Sequence, residues 1–350
     1  MRKKIIWIMT ATLALSMAGC SKGKEASKDS SVMVEGTTTP APEENIQNNA
    51  SKVIVTINDQ EVTFDEFRIY LQSQRDEIVE TYGNDIWSME IDDEGTTYEQ
   101  KFKQSVLDQI INIKLVCSQA QELGITLSED ELLDVDEYTS QFLSNFSQEA
   151  IDYYSVNKDI IRNIYKDNVL YNKIYESLTL NVDTNVSDEE AKQSVFQYIL
   201  VAKYGYDADG KRFEYTTEQL EDAKAKAEQL HEEALTVSNF KDFALANSDD
   251  DDEVELTVGK GDMKPELEKV AFALKKGEVS DVIDNEEGYF IFYCVDEVDQ
   301  EATDAKKEEI ISERQEKAFN EMYKTWETSK EVKINEDLYN SISLKDDIVQ

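Results

Sequence analysis

The chain has 350 residues and carries 75 acidic against 36 basic side chains, a formal net charge of −39. That balance excludes nucleic acid as a partner, because phosphate binding needs a basic footprint; it favours solubility and can draw in basic polypeptides at long range. The length is enough for two domains with sizeable cores.

Arg2, Lys3 and Lys4 precede an apolar run from Ile5 to about Met17. The run is too short for a membrane-spanning helix and reads as a signal peptide over residues 1–19. Met17-Ala18-Gly19-Cys20 resembles a bacterial lipobox. Cys20 is therefore the candidate lipidation residue, with acyl chains as the membrane anchor. A plain secretory signal with a chance cysteine is the other reading. Residues 20–51, rich in Ser, Thr, Pro and Glu, read as a disordered tether.

Order begins at residues 53–62, where two β-like runs flank Asn58-Asp59. Thr63-Phe64-Asp65-Glu66 has the form of a capping box and launches a helix through Phe67, Ile69, Tyr70 and Leu71. Phe102, Val106, Ile110, Ile113, Cys117 and Ala120 recur at helical spacing, and Gly124 fits a C-cap. Ser128 and Glu131 form a second capping box. Helix then continues to about Leu178, with aromatics including Tyr138, Phe142, Phe146 and Tyr165 that read as core, or in part as the lining of a client groove. Cys117 and Cys294 sit in apolar strings and read as buried free thiols.

Residues 180–187 are a hinge candidate. Gln197–Val201 reads as a buried strand, and the turn at Asp209-Gly210 lacks calcium-loop spacing. A helix over Thr217–Ala234 buries Leu220, Ala223, Ala227 and Leu230; a short helix carries Phe240, Phe243 and Ala244. Strands follow at Val254–Val258 and Gly288–Val295. A charged helix from Glu301 to about Ser329 keeps a stripe of Ile311, Ala318, Met322 and Trp326, with a short strand at Val332-Lys333-Ile334 and a frayed tail after about Asp346.

Gly261-Asp262-Met263, the Leu267-Glu268 pair, Ala271-Phe272 and Gly277-Glu278-Val279-Ser280 together resemble the proline-recognition segment of parvulin-type peptidyl-prolyl isomerases. The layout from Val53 to Leu71 and the Leu123–Glu131 junction resemble the N-terminal domain of the SurA and PrsA chaperones. The resemblance implies an α+β fold: a mainly helical chaperone domain over 52–187, a parvulin-like domain with a small antiparallel sheet flanked by helices over 188–300, and a C-terminal helix and tail over 301–350 returning to the first domain. It also implies a foldase lipid-anchored at the outer face of the cell membrane through Cys20, with unfolded or secreted polypeptides as clients and no cofactor or metal.

In the family register Met263 matches the pocket methionine, Leu267 stands where Phe is usual, and Phe290 replaces a histidine of the last strand; these three are the candidate substrate-binding residues. Tyr198 replaces the histidine of the first strand, and Asp250, in Ser248-Asp249-Asp250, matches the central acid or cysteine; these two are the candidate catalytic residues. Phe272 matches a fold-supporting position. His231, the single histidine, reads as a solvated helix residue. Prolyl isomerisation crosses an amide barrier of about 18–20 kcal/mol, and a site lowers it by binding the twisted amide in a dry pocket. With both histidines replaced, the expectation is a chaperone with weak isomerase activity. A fully active parvulin isomerase and a non-catalytic wall-associated binding lipoprotein are the alternatives.

Overall fold

The computed structural model describes residues 51–145, 157–250 and 253–345. The signal segment, Cys20, almost all of the tether, Phe146 and the final tail lie outside the described residues. The chain divides into two compact units, one holding described residues up to Leu180 and from Phe319 onward, the other Asn181–Ala318.

The first unit opens with β1 (Val53–Ile57) and β2 (Gln60–Thr63), antiparallel across a turn where Asn58 takes a φ of 55°. Asparagine tolerates that left-handed conformation better than most side chains. β9 (Val332–Ile334) pairs antiparallel with the other edge of β1, giving the order β2-β1-β9. Thr63 caps α1 (Phe64–Tyr82) by accepting the Glu66 amide at 3.3 Å. The reciprocal half of that expected capping box is not formed. Glu66 turns inward instead, with its Oε1 2.7 Å from Lys114 Nζ.

A full capping box, Thr97 with Gln100, starts α2 (Tyr98–Ser118), and Ser128 with Glu131 starts α3 (Glu129–Ser144) as the sequence indicates. α2 stops before Ala120, so Gly124, at a φ of 67°, closes the turn after the helix rather than the helix itself. α4 (Lys158–Thr179) completes the helical layer. The core gathers Phe67, Tyr70, Trp87, Phe102 and Ile110, together with Leu338 and Leu344 from the chain's end. Cys117 is only partly buried and donates its thiol to the Asp167 carbonyl at 3.2 Å.

The second unit is built on a four-stranded antiparallel sheet of order β6-β3-β8-β7. β3 (Ser194–Ala202) and β8 (Gly288–Asp296) form its centre, β6 (Glu255–Val258) and β7 (Ile283–Asp284) its edges. The period of two sorts side chains by face. Ile199, Val201, Tyr289 and Ile291 meet α6 (Thr217–Ala234) and α7 (Phe240–Asn247). Phe196, Tyr198, Leu200 and Phe292 meet α8 (Pro265–Ala271), whose proline at the first turn fits a position where no amide donor is needed. Gly288 is required where β8 begins: a Cβ there would lie 2.4 Å from the Val201 carbonyl oxygen. A separate hairpin, β4 (Tyr204–Tyr206) with β5 (Arg212–Glu214), projects after β3 around Gly210. A one-turn helix, α5 (Asp188–Ala191), precedes β3.

The long helix α9 (Gln300–Glu327) runs from the second unit into the first. Its buried stripe differs from the expected one. Phe319 inserts between Tyr171 and Tyr175, with ring centroids 5.7 and 5.1 Å away, and Tyr323 and Trp326 follow it; Met322 points outward. Aromatic area decides this phase, because Phe319 and Tyr323 bury more than Ala318 and Met322 could. α10 (Glu336–Asn340) then carries Leu338 into the core. Among the described residues no helix is long and apolar enough to cross a membrane.

Candidate functional site

The site grows from the α8 face of the sheet. Tyr198 lies at the middle of β3, opposite Phe292 in the register, and Phe290 lies opposite Leu200. Phe290 and Phe292 stack at 6.1 Å with nearly parallel planes, and Tyr198 sits 6.1 Å from the first ring and 5.9 Å from the second. Leu267 from α8 is buried against this aromatic set, and Met263, from the loop before α8, packs beside it half-buried. Phe272 closes the far side, edge-on to Phe196 at 5.4 Å.

The polar edge comes from the turn after α7. Beyond Gln197, β3 has run past its pairing with β6. The Val254 carbonyl accepts the Tyr198 amide, Ser248 Oγ accepts the Leu200 amide, and Asp249 Oδ2 accepts the Ala202 amide at 2.9 Å. The Asp249 amide donates in return to the Leu200 carbonyl at 2.7 Å. The Ser248-Asp249-Asp250 turn thus substitutes for a missing strand and satisfies the open edge of β3. That docking delivers Asp250 to Tyr198, whose hydroxyl donates to Asp250 Oδ2 at 2.6 Å.

Four of the five expected protein-binding or catalytic positions, Tyr198, Met263, Leu267 and Phe290, therefore share one cluster, with Asp250 bonded to its rim. The remaining expected site residue, Cys20 for lipidation, lies outside the described residues. His231 is not the freely solvated residue expected. Its side chain is 17% exposed, with Nε2 4.0 Å from Asp281, and it lies on α6, which packs on the other face of the sheet from the cluster. Ser248 and Asp249 were not singled out for their own roles; the signal for them was the Ser-Asp-Asp turn itself, whose hydrogen bonding depends on where β6 stops.

Cations near the site are already engaged. Lys264 donates to Glu286 at 2.6 Å and to Glu287 at 3.2 Å, bonds that hold its ammonium above the ordinary lysine value. Lys226 donates to Asp249 at 2.8 Å, and Lys203 pairs with Asp284. Among the described residues, no group of three or more His, Cys, Asp or Glu could hold a metal ion. Chemically the arrangement offers an apolar, aromatic-rich patch with an oriented hydroxyl–carboxylate pair at its edge.

Two family models match this chain: the SurA-like N-terminal domain over residues 3–155, and the PPIC-type PPIASE domain over residues 209–296. The second match takes in Asp250, Met263, Leu267 and Phe290 but begins after Tyr198. The chain is thus a SurA/PrsA-like protein that joins a SurA-like domain to a parvulin-type domain. Among individual proteins, it is similar to the foldase protein PrsA of Caldanaerobacter subterraneus subsp. tengcongensis, 26% identical over 302 residues that cover 83% of this chain and 82% of the relative. The foldase protein PrsA of Clostridium acetobutylicum is 21% identical over 305 residues, covering 82% and 89%. The crystal structure of PrsA from Bacillus subtilis aligns at 19% identity over 84% of this chain and 98% of that one, with a TM-score of 0.25.

Proposed function

We propose that the protein is an extracytoplasmic foldase: a chaperone for secreted polypeptides, anchored by lipid on Cys20, whose parvulin-like domain grips prolyl segments and isomerises them weakly. The observation that carries this reading is the Tyr198–Asp250 pair at the edge of the Met263–Leu267–Phe290 patch, an apolar surface on a sheet whose strands carry no histidine. The similarity to PrsA foldases supports the client class.

Isomerisation here requires no proton relay. Met263, Leu267 and Phe290 hold the proline ring by apolar contact, and the amide rotates in the partly dry space beside them. The Tyr198 hydroxyl is an oriented donor at the edge of this patch, and it is already committed to Asp250. Phe290 supplies no hydrogen bond at all. Each 1.36 kcal/mol of lost transition-state binding is about tenfold in rate, so one or two missing contacts leave a binding site with little catalysis.

Chaperone action is assigned mainly to the helical unit, residues 53–178 with the end of α9. A chain lacking residues 196–298 should still delay aggregation of an unfolded client. Protection by the parvulin-like domain alone, with none from the helical unit, would reverse the assignment. Cys20→Ala should release the protein from membranes or leave it unprocessed; retention with the same processing would remove the lipid anchor from the account.

A further inference from the structure

The β4–β5 hairpin is the most conspicuous exposed aromatic feature of the second unit, and its two faces differ. On one, Phe213 lies across Gly205, which has no side chain to obstruct it; an added Cβ would come within 2.9 Å of the Phe213 ring. On the other, Tyr204 and Tyr206 meet edge-to-face at 5.8 Å, with the Arg212 guanidinium 3.8 Å over the Tyr204 ring. Tyr206 remains 64% exposed and Phe213 43%. The strand pairs are too few for this hairpin to be justified by stability alone.

The tyrosine face runs into the acidic rim of the candidate site. Arg212 Nη1 stands 3.9 Å from Glu287, which also takes Lys264. Burial, and then Tyr206, push the Tyr204 hydroxyl above the ordinary tyrosine value; Arg212 opposes the shift, and Glu287 and Asp250 add to it. Glu287 stands beside Arg212 of the hairpin, and Asp250 is held at the edge of the aromatic patch by Tyr198. The hairpin already shows what suits this surface: a guanidinium on an aromatic face, flanked by carboxylates.

We propose that the tyrosine face of the hairpin, with Glu287 and Asp250, is a docking track for an extended polypeptide carrying lysine or arginine next to the prolyl residue seated on Met263, Leu267 and Phe290. The inference rests on the client-binding reading above and narrows it. Charge complementarity selects the occupant: an acidic segment would meet the rim's carboxylates, whereas a cationic one can share Glu287 with Arg212 and lie over Tyr206. The aromatic face supplies contact, and the carboxylates supply the sign of the preference.

The test uses the full mature chain and three labelled peptides that differ only beside the proline, with Lys, Gln or Glu there, read by fluorescence anisotropy. The Lys peptide should bind about fivefold tighter than the Glu peptide, and the difference should shrink in about 0.5 M salt. Glu287→Gln should cut the preference, and Tyr206→Ser, at an exposed position, should weaken the Lys peptide. If all three peptides bind equally and all lose affinity in Met263→Ala, the docking track is wrong while the client site stands. If Met263→Ala changes binding of none of them, the client site itself is wrong.

Discussion

Tyr198 and Asp250 are 52 positions apart in sequence, yet the tyrosine hydroxyl donates to the aspartate at 2.6 Å. The pair exists because β6 stops short and the Ser248–Asp250 turn completes the edge of β3 in its place. The aromatic patch thus ends on a hydroxyl already held by a carboxylate.

Removing the hydroxyl with Tyr198→Phe keeps the ring among Phe290 and Phe292 and leaves Asp250 without that donor. The expected loss of stability is about 1 kcal/mol, with residual isomerase activity falling further than stability accounts for. Urea unfolding paired with a proline-isomerisation rate separates the two. An unchanged rate would show that Tyr198 is only a packing residue.

Asp249 is expected to matter more for the fold than Asp250. Its carboxylate accepts the Ala202 amide and takes Lys226 on its other oxygen. Asp249→Ala should destabilise the second unit by about 1–3 kcal/mol, because a strand-edge amide loses its partner. Hydrogen exchange at Ala202 is the direct readout: faster exchange there, with little change on the α6 side, is the predicted pattern.

Lys114 is buried between Glu66 and Asp167, 2.7 Å from each. Burial pulls its ammonium down, but the two carboxylates more than offset this and hold it at about 12 against an ordinary 10.5. A raised folded value means the stabilisation is complete below 10.5 and lost as pH rises through about 12. Glu66 is itself pushed up by burial, with Lys114 opposing. Lys114→Met should therefore cost about 3–5 kcal/mol near neutral pH by leaving buried carboxylates unpaired. The deficit should shrink as acid protonates Glu66, because a group raised in the fold favours the folded state as pH falls. A deficit independent of pH would mean that the lysine contributes by packing alone.

Phe319→Ala should cost about 3–5 kcal/mol, since it empties the slot between Tyr171 and Tyr175. Met322→Ala, on the exposed side, should cost little. Limited proteolysis near the C-terminal end of α9 would show the contrast.

These cases also mark how far the sequence could be read. β3, α6, α7 and β8 were legible because period-two and helical patterns state which face is apolar, and the Ser128 box was legible because its partners are three residues apart. At Thr63 the N-cap forms but the reciprocal half of the box does not: Glu66 has a stronger partner in Lys114, 48 positions away, which no local pattern reveals. On α9 the expected Trp326 packs inward, but Phe319 and Tyr323 take the places expected of Ala318 and Met322, because several apolar residues crowd the same turns and the Tyr171–Tyr175 slot chooses among them. Met263, Leu267 and Phe290 stand out in the sequence only through their resemblance to a motif, and they cluster in the fold. The 2.6 Å contact of Tyr198 with Asp250 depends on β6 beginning only at Glu255, which propensity does not determine.

The measurement that bears most directly on the account is the rate of proline-limited refolding of a client, taken with wild type, Met263→Ala and the double variant Tyr198→His with Phe290→His. Binding without strong catalysis predicts a slow wild-type rate, a further loss in Met263→Ala, and a gain of roughly tenfold or more in the double variant for each contact restored. A wild-type rate equal to that of a parvulin with both histidines, unaffected by Met263→Ala, would contradict it.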